Sequence, residues 1–228
     1  MGLGAPRYSR RGRALTTPRT IEAVLFDLHG VLTSSPWESL AAVGANDGAA
    51  SQDEVLAVML GDYASDGDHP WHRLERGEIG IGEYLPAVMA LAAEAGVELD
   101  FNQLRGFSDR IVVQDVVVER VQALRHDGYR TGIVTNNIKE GAGWRSLLPV
   151  DDLFDVVVDS SEVGVRKPDP AIFAIALERL GGVRPEAAVF LDDAPGNVEG
   201  ARRAGLHAIH VDDQATALSE LDDLLRAG

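Results

Sequence analysis

The chain contains no cysteine, and this absence removes several kinds of chemistry. Disulfide bridges, thiolate zinc sites and a cysteine nucleophile are excluded, and the composition fits a reducing cytoplasm, where we expect the protein to lie. No apolar run approaches the roughly 18 residues of a membrane-spanning helix, so no membrane partner is predicted. With 45% hydrophobic residues, the 228-residue chain still has ample material for a buried core.

Positive charge is scarce outside the first nineteen residues. Taking their five arginines from the net charge of −15 leaves −20 on residues 20–228. Residues 20–228 are acidic enough to repel a nucleic-acid backbone, so no nucleic-acid partner is expected. Residues 1–19 share their Arg-rich, acid-free composition with organellar transit peptides, but they show no obvious apolar face. We therefore favour a disordered basic extension.

The pattern of apolar segments predicts an α/β fold. Five short runs read as strands, over residues 21–26, 129–135, 154–158, 187–191 and 207–211. Helical patterns precede the second run, separate the third from the fourth and follow the fifth, which is typical of a doubly wound, Rossmann-like parallel sheet. Residues 20–35 and 115–228 would form this core.

Residues 36–114 have a different character, because β-branched runs disappear until Ile111 and helix-forming residues dominate. Glycines separate five candidate helices, over residues 37–43, 52–63, 70–76, 81–95 and 100–107. An insertion of this size is expected to form its own small helical cap domain.

Four polar clusters follow the predicted strands or lie in the loops after them. Ligands of open α/β sheets bind outside the carboxyl ends of the strands, so the four clusters are expected to meet in one site. They are Asp27, Thr135-Asn136-Asn137, Lys167, and Asp192-Asp193 with Asn197.

The residue types in these clusters point to a metal and a phosphoryl group. Asp27, Asp192 and Asp193 would repel one another unless a cation lay between them. Oxygen ligands without a His/Cys set favour Mg²⁺. Lys167 and the Thr135 hydroxyl would supply positive charge and hydrogen bonds to a phosphoryl group.

In order and placement, the clusters resemble the four motifs of the haloacid dehalogenase-like hydrolase superfamily, over about residues 21–213. The helical insertion resembles the cap of the subfamily that carries it after the first motif. The segments at residues 72–79 and 190–193 resemble those of sugar-phosphate phosphatases and of the phosphatase domain of soluble epoxide hydrolase.

The resemblance implies a role for each matching residue. Asp27 would attack phosphorus and form an aspartyl-phosphate, which water then hydrolyses. Thr135 and Asn136 would bind phosphate, and Lys167 would pair with both Asp27 and the phosphoryl oxygens.

The same resemblance implies a metal site. Asp193 would be the main downstream metal ligand beside Asp27, and Asp192 a ligand or a support. The residue two positions after Asp27 would contribute its backbone carbonyl, and Asn197 lies where many relatives carry a further acid.

One position departs from the family pattern, because His29 stands where most of these phosphatases have an aspartate that acts as general acid and base. The backbone carbonyl survives this change, so His29 stays among the expected metal ligands, but the proton transfers are put in doubt. Imidazole ordinarily titrates near neutrality, so His29 either performs them itself or only packs against the cap.

The expected function is a Mg²⁺-dependent phosphatase acting on a small phosphorylated metabolite, with a sugar phosphate favoured. One alternative is a catalytically weak protein that binds or senses a phosphorylated ligand. A 2-haloacid dehalogenase is disfavoured, because that chemistry needs no metal and would not require the Asp192-Asp193 pair. The sequence leaves open whether the protein is a monomer or a homodimer.

Overall fold

A computed structural model of the chain describes residues 20–44 and 50–227, so the extension expected over residues 1–19 lies outside the described residues. One parallel sheet has the strand order β3-β2-β1-β4-β5. Each predicted strand segment overlaps one of its strands, and the predicted α/β fold is confirmed. The strands are β1 (Ala23–Phe26), β2 (Arg130–Thr135), β3 (Val156–Asp159), β4 (Ala188–Asp192) and β5 (His207–His210).

The register of the central strands decides which residues meet at the edge of the sheet. Phe26 at the end of β1 pairs with Ile133 on β2 and with Leu191 on β4. Asp27 therefore lies level with Asp192, and Thr135 lies one step further along β2.

Four helices follow β1 and pack around a hydrophobic cluster of their own, which includes Val55, Met59, Leu74, Tyr84 and Val88. The segments that join them to the sheet are paired, since the Ser34 N–H donates to the Val112 carbonyl at 2.7 Å. The helices are α1 (Trp37–Ala41), α2 (Gln52–Leu60), α3 (Pro70–Glu75) and α4 (Ile81–Ala95).

The helix expected over residues 100–107 is not formed. The chain instead makes two short 3-10 turns, Phe101–Leu104 and Ser108–Arg110. Gly106 between them has a positive φ of 67°, which a continuous right-handed helix does not accommodate.

The remaining helices cover both faces of the sheet or fill its loops. Of these, α9 is absent from the sequence-based prediction, because its two glycines resemble breakers. In the structure Gly200 allows a close approach, since a Cβ there would lie 2.5 Å from the Pro168 carbonyl oxygen. The helices are α5 (Asp115–His126), α6 (Val150–Leu153), α7 (Ser160–Val163), α8 (Pro170–Arg179), α9 (Pro195–Arg203) and α10 (Gln214–Ala227).

None of the helices within residues 20–44 and 50–227 has the length and apolar character required to cross a membrane.

Candidate active site

Asp27 lies directly beyond the buried strand β1, and its backbone N–H continues the sheet by donating to the Leu191 carbonyl at 2.8 Å. Its Oδ1 atom accepts the Leu28 N–H at 2.7 Å and lies 2.8 Å from the Lys167 Nζ. Burial raises the pKa of Asp27, while the Lys167 ammonium opposes the rise. The carboxylate is thus held in place on one oxygen.

Lys167 is completely buried between two carboxylates, with its Nζ 2.8 Å from Asp27 and 2.6 Å from Asp192. Burial alone would lower the pKa of this lysine, but Asp192 and Asp27 outweigh it and raise the pKa, so the ammonium stays charged. Two hydrogen bonds join the backbone of Lys167 to the Asn136 amide, at 2.7 and 3.0 Å.

The three aspartates predicted to hold a cation lie together. Asp27, Asp192 and Asp193 each offer an oxygen, and these atoms lie within 4.8 Å of one another. Burial, followed by a neighbouring aspartate, raises the pKa of Asp192 to about 7 and that of Asp193 to about 6. A donor set made only of oxygen atoms, from carboxylates that repel one another, fits Mg²⁺.

The two downstream aspartates are not equivalent. Asp192 is fully buried and accepts hydrogen bonds from Lys167, from the Ala194 N–H at 2.8 Å and from Asn197 at 3.1 Å. Asp193 lines the cavity above the sheet. We therefore find Asp193 better placed than Asp192 to bind an ion.

One residue at the start of α1 and one just before it also contact Asp193, and these contacts were not predicted from the sequence. The Trp37 indole N–H donates to its Oδ2 atom at 3.0 Å, and the Ser35 hydroxyl donates at 3.2 Å. Gly30, with a φ of 82°, makes room for the same carboxylate, because a Cβ at this position would overlap it.

His29 lines the cavity, and its Nδ1 atom lies 3.0 Å from the Thr33 hydroxyl. Burial and the Lys167 charge lower its pKa to about 4, well away from the near-neutral value of free imidazole. The ring is therefore neutral around pH 7.

Of the residues expected to bind phosphate, Thr135 and Asn136 both line the cavity. Asn137 also borders it, but the Asn137 side-chain amide donates to Asp159 at 2.8 Å. The register of the sheet thus brings Asp27, Thr135 and Asp192 to one edge, and Lys167 reaches the same place from a loop.

The sequence-based prediction missed a buried ion pair that joins core and cap. Arg166, completely buried, donates to Glu75 at 2.7 Å and lies over the Tyr63 ring at 5.0 Å. The Tyr63 hydroxyl in turn donates to Glu75 at 3.3 Å. Glu75 lies in the segment at residues 72–79, whose resemblance to sugar-phosphate phosphatases was noted in the sequence. That resemblance is the feature from which a role for Glu75 could have been inferred.

A family model described as haloacid dehalogenase-like hydrolase matches residues 21–205. The chain is 36% identical, over 91% of its length, to acyl-CoA dehydrogenase family member 10 of Mus musculus, but spans only 19% of that protein. It is 33% identical to glyceraldehyde 3-phosphate phosphatase of Methanopyrus kandleri, over 68% of this chain and 64% of the relative.

The fold is shared with solved structures. One is a haloacid dehalogenase-family enzyme of Bacteroides thetaiotaomicron in complex with magnesium and inorganic phosphate, with a TM-score of 0.58 and 20% identity. The match covers 86% of this chain and 98% of that structure. With the family model covering most of its length, the chain belongs to the haloacid dehalogenase-like hydrolase family.

Proposed function

We propose that the chain is a Mg²⁺-dependent phosphatase that hydrolyses a small phosphorylated metabolite through an aspartyl-phosphate on Asp27. The position of Asp27 carries this proposal. One of its oxygens is fixed by Leu28 and Lys167, and the other has no hydrogen-bond donor among the described residues. Asp27 borders a cavity of about 500 Å³. The phosphatase among the relatives supports the same chemistry.

In the first step the free oxygen of Asp27 forms a bond to phosphorus while the bond to the leaving alcohol breaks. In the second step water attacks phosphorus, the Asp27–phosphorus bond breaks, and inorganic phosphate leaves. Lys167 keeps Asp27 ionised and offsets negative charge on the phosphoryl oxygens. Thr135 and Asn136 border the space where these oxygens would lie.

The carboxylates of Asp27 and Asp193, with the His29 backbone carbonyl, would hold Mg²⁺, and Asp192 would chiefly fix Lys167. When bound, the ion supplies positive charge to the phosphoryl oxygens. The sequence also indicates Asp192 as a possible Mg²⁺ ligand, and that assignment stays a prediction.

His29 is proposed for the two proton transfers, one to the leaving alcohol and one from water. A neutral ring suits the second transfer better than the first, so substrates with good leaving groups should be preferred. Replacing His29 with Asp should raise the rate on poor leaving groups, by up to about 10²-fold. An unchanged rate and pH profile in His29→Ala would remove His29 from the mechanism.

The test of the phosphatase proposal is phosphate release from sugar phosphates, acyl phosphates and an aryl phosphate, with Mg²⁺ or with EDTA. Turnover should require Mg²⁺ and disappear in Asp27→Asn. Turnover that is insensitive to EDTA would contradict the metal mechanism.

The second candidate is a protein that binds a phosphorylated ligand with little turnover. The low pKa of His29, where relatives carry an acid-base aspartate, favours it. Thermal stabilisation by phosphate esters in Mg²⁺, without phosphate release from any of them, would support this candidate against the enzyme.

The proposed partner is a small metabolite rather than nucleic acid or a membrane, since the body of the chain is strongly acidic. A cytoplasmic location and a monomeric or homodimeric state stay predictions from the sequence.

A further inference from the structure

The wall of the active-site cavity carries many acidic groups and few basic ones. The described residues that line it include no lysine and no arginine, and one histidine, His29. Five carboxylates border the same space. They are Asp27, Glu75, Asp109, Glu140 and Asp193.

The cations behind this wall are already engaged. Arg166 donates to Glu75 at 2.7 Å and to the Ser65 carbonyl at 2.7 Å. Its Nη2 atom has no hydrogen-bond partner among the described residues, but the side chain is completely buried and does not line the cavity. Lys139 donates to the Gly77 carbonyl at 2.6 Å. Lys167 is buried beneath Asp27 and Asp192, where it faces the transferred phosphoryl group. A second anionic group on a substrate would find no free cation among these residues.

Aromatic and aliphatic side chains form much of the rest of the wall, beside the hydroxyl and amide side chains of Ser108, Thr135, Asn136, Asn137, Ser146 and Asn197. Aromatic residues are only 6% of the chain, yet all three of its tryptophans line this cavity. Trp37, Trp71 and Trp144 are joined there by Tyr63 and Phe107. Such walls bind organic groups by burying apolar surface.

We propose that the substrate is a phosphate monoester of an uncharged, largely apolar alcohol, with the transferred phosphoryl as its only anionic group. This inference rests on the proposed phosphatase function and narrows its substrate class. Within that class, esters of apolar alcohols should be better substrates than sugar phosphates, because five aromatic side chains line the cavity and favour the burial of apolar surface.

The test compares benzyl phosphate with 4-carboxybenzyl phosphate, which differ by one carboxylate remote from phosphorus, and with glucose 6-phosphate. Acetyl phosphate reports the phosphoryl chemistry alone. We expect kcat/KM to be at least about tenfold higher for benzyl phosphate than for the carboxylated ester, chiefly through KM. Glucose 6-phosphate should also be turned over less efficiently than benzyl phosphate.

Turnover of acetyl phosphate with equal or better kcat/KM for 4-carboxybenzyl phosphate or glucose 6-phosphate overturns the inference and leaves the phosphatase proposal standing. No turnover of any of the four compounds by folded protein in Mg²⁺ overturns both.

A charge reversal tests the wall directly. Asp109 is exposed at the rim, so Asp109→Lys should fold normally and reduce the preference for benzyl over carboxybenzyl phosphate several-fold. The matched control is Glu94→Lys, the same charge change at an exposed position on α4 that does not line the cavity. An equal effect of both variants, or no effect of Asp109→Lys, contradicts the role given to the wall.

Discussion

Arg166 and Lys167 are consecutive residues and both are completely buried, yet they serve two different regions of the molecule. Lys167 lies at the sheet edge between Asp27, the proposed nucleophile, and Asp192, where the backbone register brings the two carboxylates together. Arg166 extends into the cap and pairs with Glu75. Burial of a charged side chain therefore does not by itself identify a catalytic residue, because the residues with which it pairs decide its role.

The largest effect is expected from Lys167→Met. The variant leaves Asp27 and Asp192 without their shared cation and removes positive charge from the phosphoryl site, so kcat should fall by at least about 10²- to 10³-fold. The measurement is steady-state hydrolysis of acetyl phosphate, with folding checked by circular dichroism. The only other lysine of the chain, Lys139, provides the matched control, and Lys139→Met should retain most activity.

Arg166→Met should affect stability instead of chemistry. It leaves the Glu75 carboxylate buried without its cation, and the free energy of unfolding should fall by about 3 to 5 kcal/mol in urea titrations. Adding Glu75→Gln removes the unpaired charge and should restore much of the loss. If the folded double variant lost acetyl phosphate turnover as completely as Lys167→Met, the contrast between the two cations would be wrong.

A third buried group, His72 in α3, has only a distant charged partner, since its Nδ1 atom lies 3.9 Å from an Asp66 carboxylate oxygen. Neither ring nitrogen has a hydrogen-bond partner in the described part of the chain, and burial followed by the charge of Arg166 lowers its pKa from 6.5 to about 4. The unfolded chain therefore takes up a proton in this pH range that the folded chain does not. The contribution of His72 to stability should fall as the pH drops from 6.5 towards 4, by up to roughly 3 kcal/mol.

Urea unfolding at several pH values checks this expectation. His72→Phe should show a weaker loss of stability on acidification, while His126→Phe, at an exposed position on α5, should follow the unaltered protein. Identical slopes for the unaltered protein and His72→Phe would show that the proton uptake lies elsewhere.

The smallest expected effect lies at the junction of the two regions. Trp37→Phe keeps an aromatic ring but removes the hydrogen bond to Asp193, and Mg²⁺ affinity measured by calorimetry should weaken about tenfold. Trp144→Phe is the control, because the Trp144 indole N–H has no hydrogen-bond partner among residues 20–44 and 50–227. Equal Mg²⁺ affinity in both variants would show that the hydrogen bond from Trp37 to Asp193 does not contribute to Mg²⁺ binding.

The sequence predicts the sheet and its site well, because buried parallel strands are continuous apolar runs and the polar residues that follow them must share one edge. Asp27, Thr135 and Asp192 are examples. It does not predict the partner of Arg166, since nothing local indicates that a core loop and α3 meet. It also misses α9, where glycines that permit close packing resemble breakers.

The protonation state of His29 is likewise not predictable from the local sequence. Its position in the chain indicates a place in the mechanism, but the pKa of about 4 depends on burial and on a lysine 138 positions away. Contacts between residues distant in sequence thus decide the protonation state of a residue that local sequence identifies.

The most direct test of the central claim is acid quenching during turnover of acetyl phosphate in Mg²⁺, followed by mass spectrometry of the proteolysed chain. We predict that the peptide containing Asp27 gains one phosphoryl group, and that borohydride reduction converts that residue to homoserine. The Asp27→Asn variant should show neither the modification nor turnover. Sustained turnover in Asp27→Asn, or a phosphoryl group trapped only on another residue, would contradict the account.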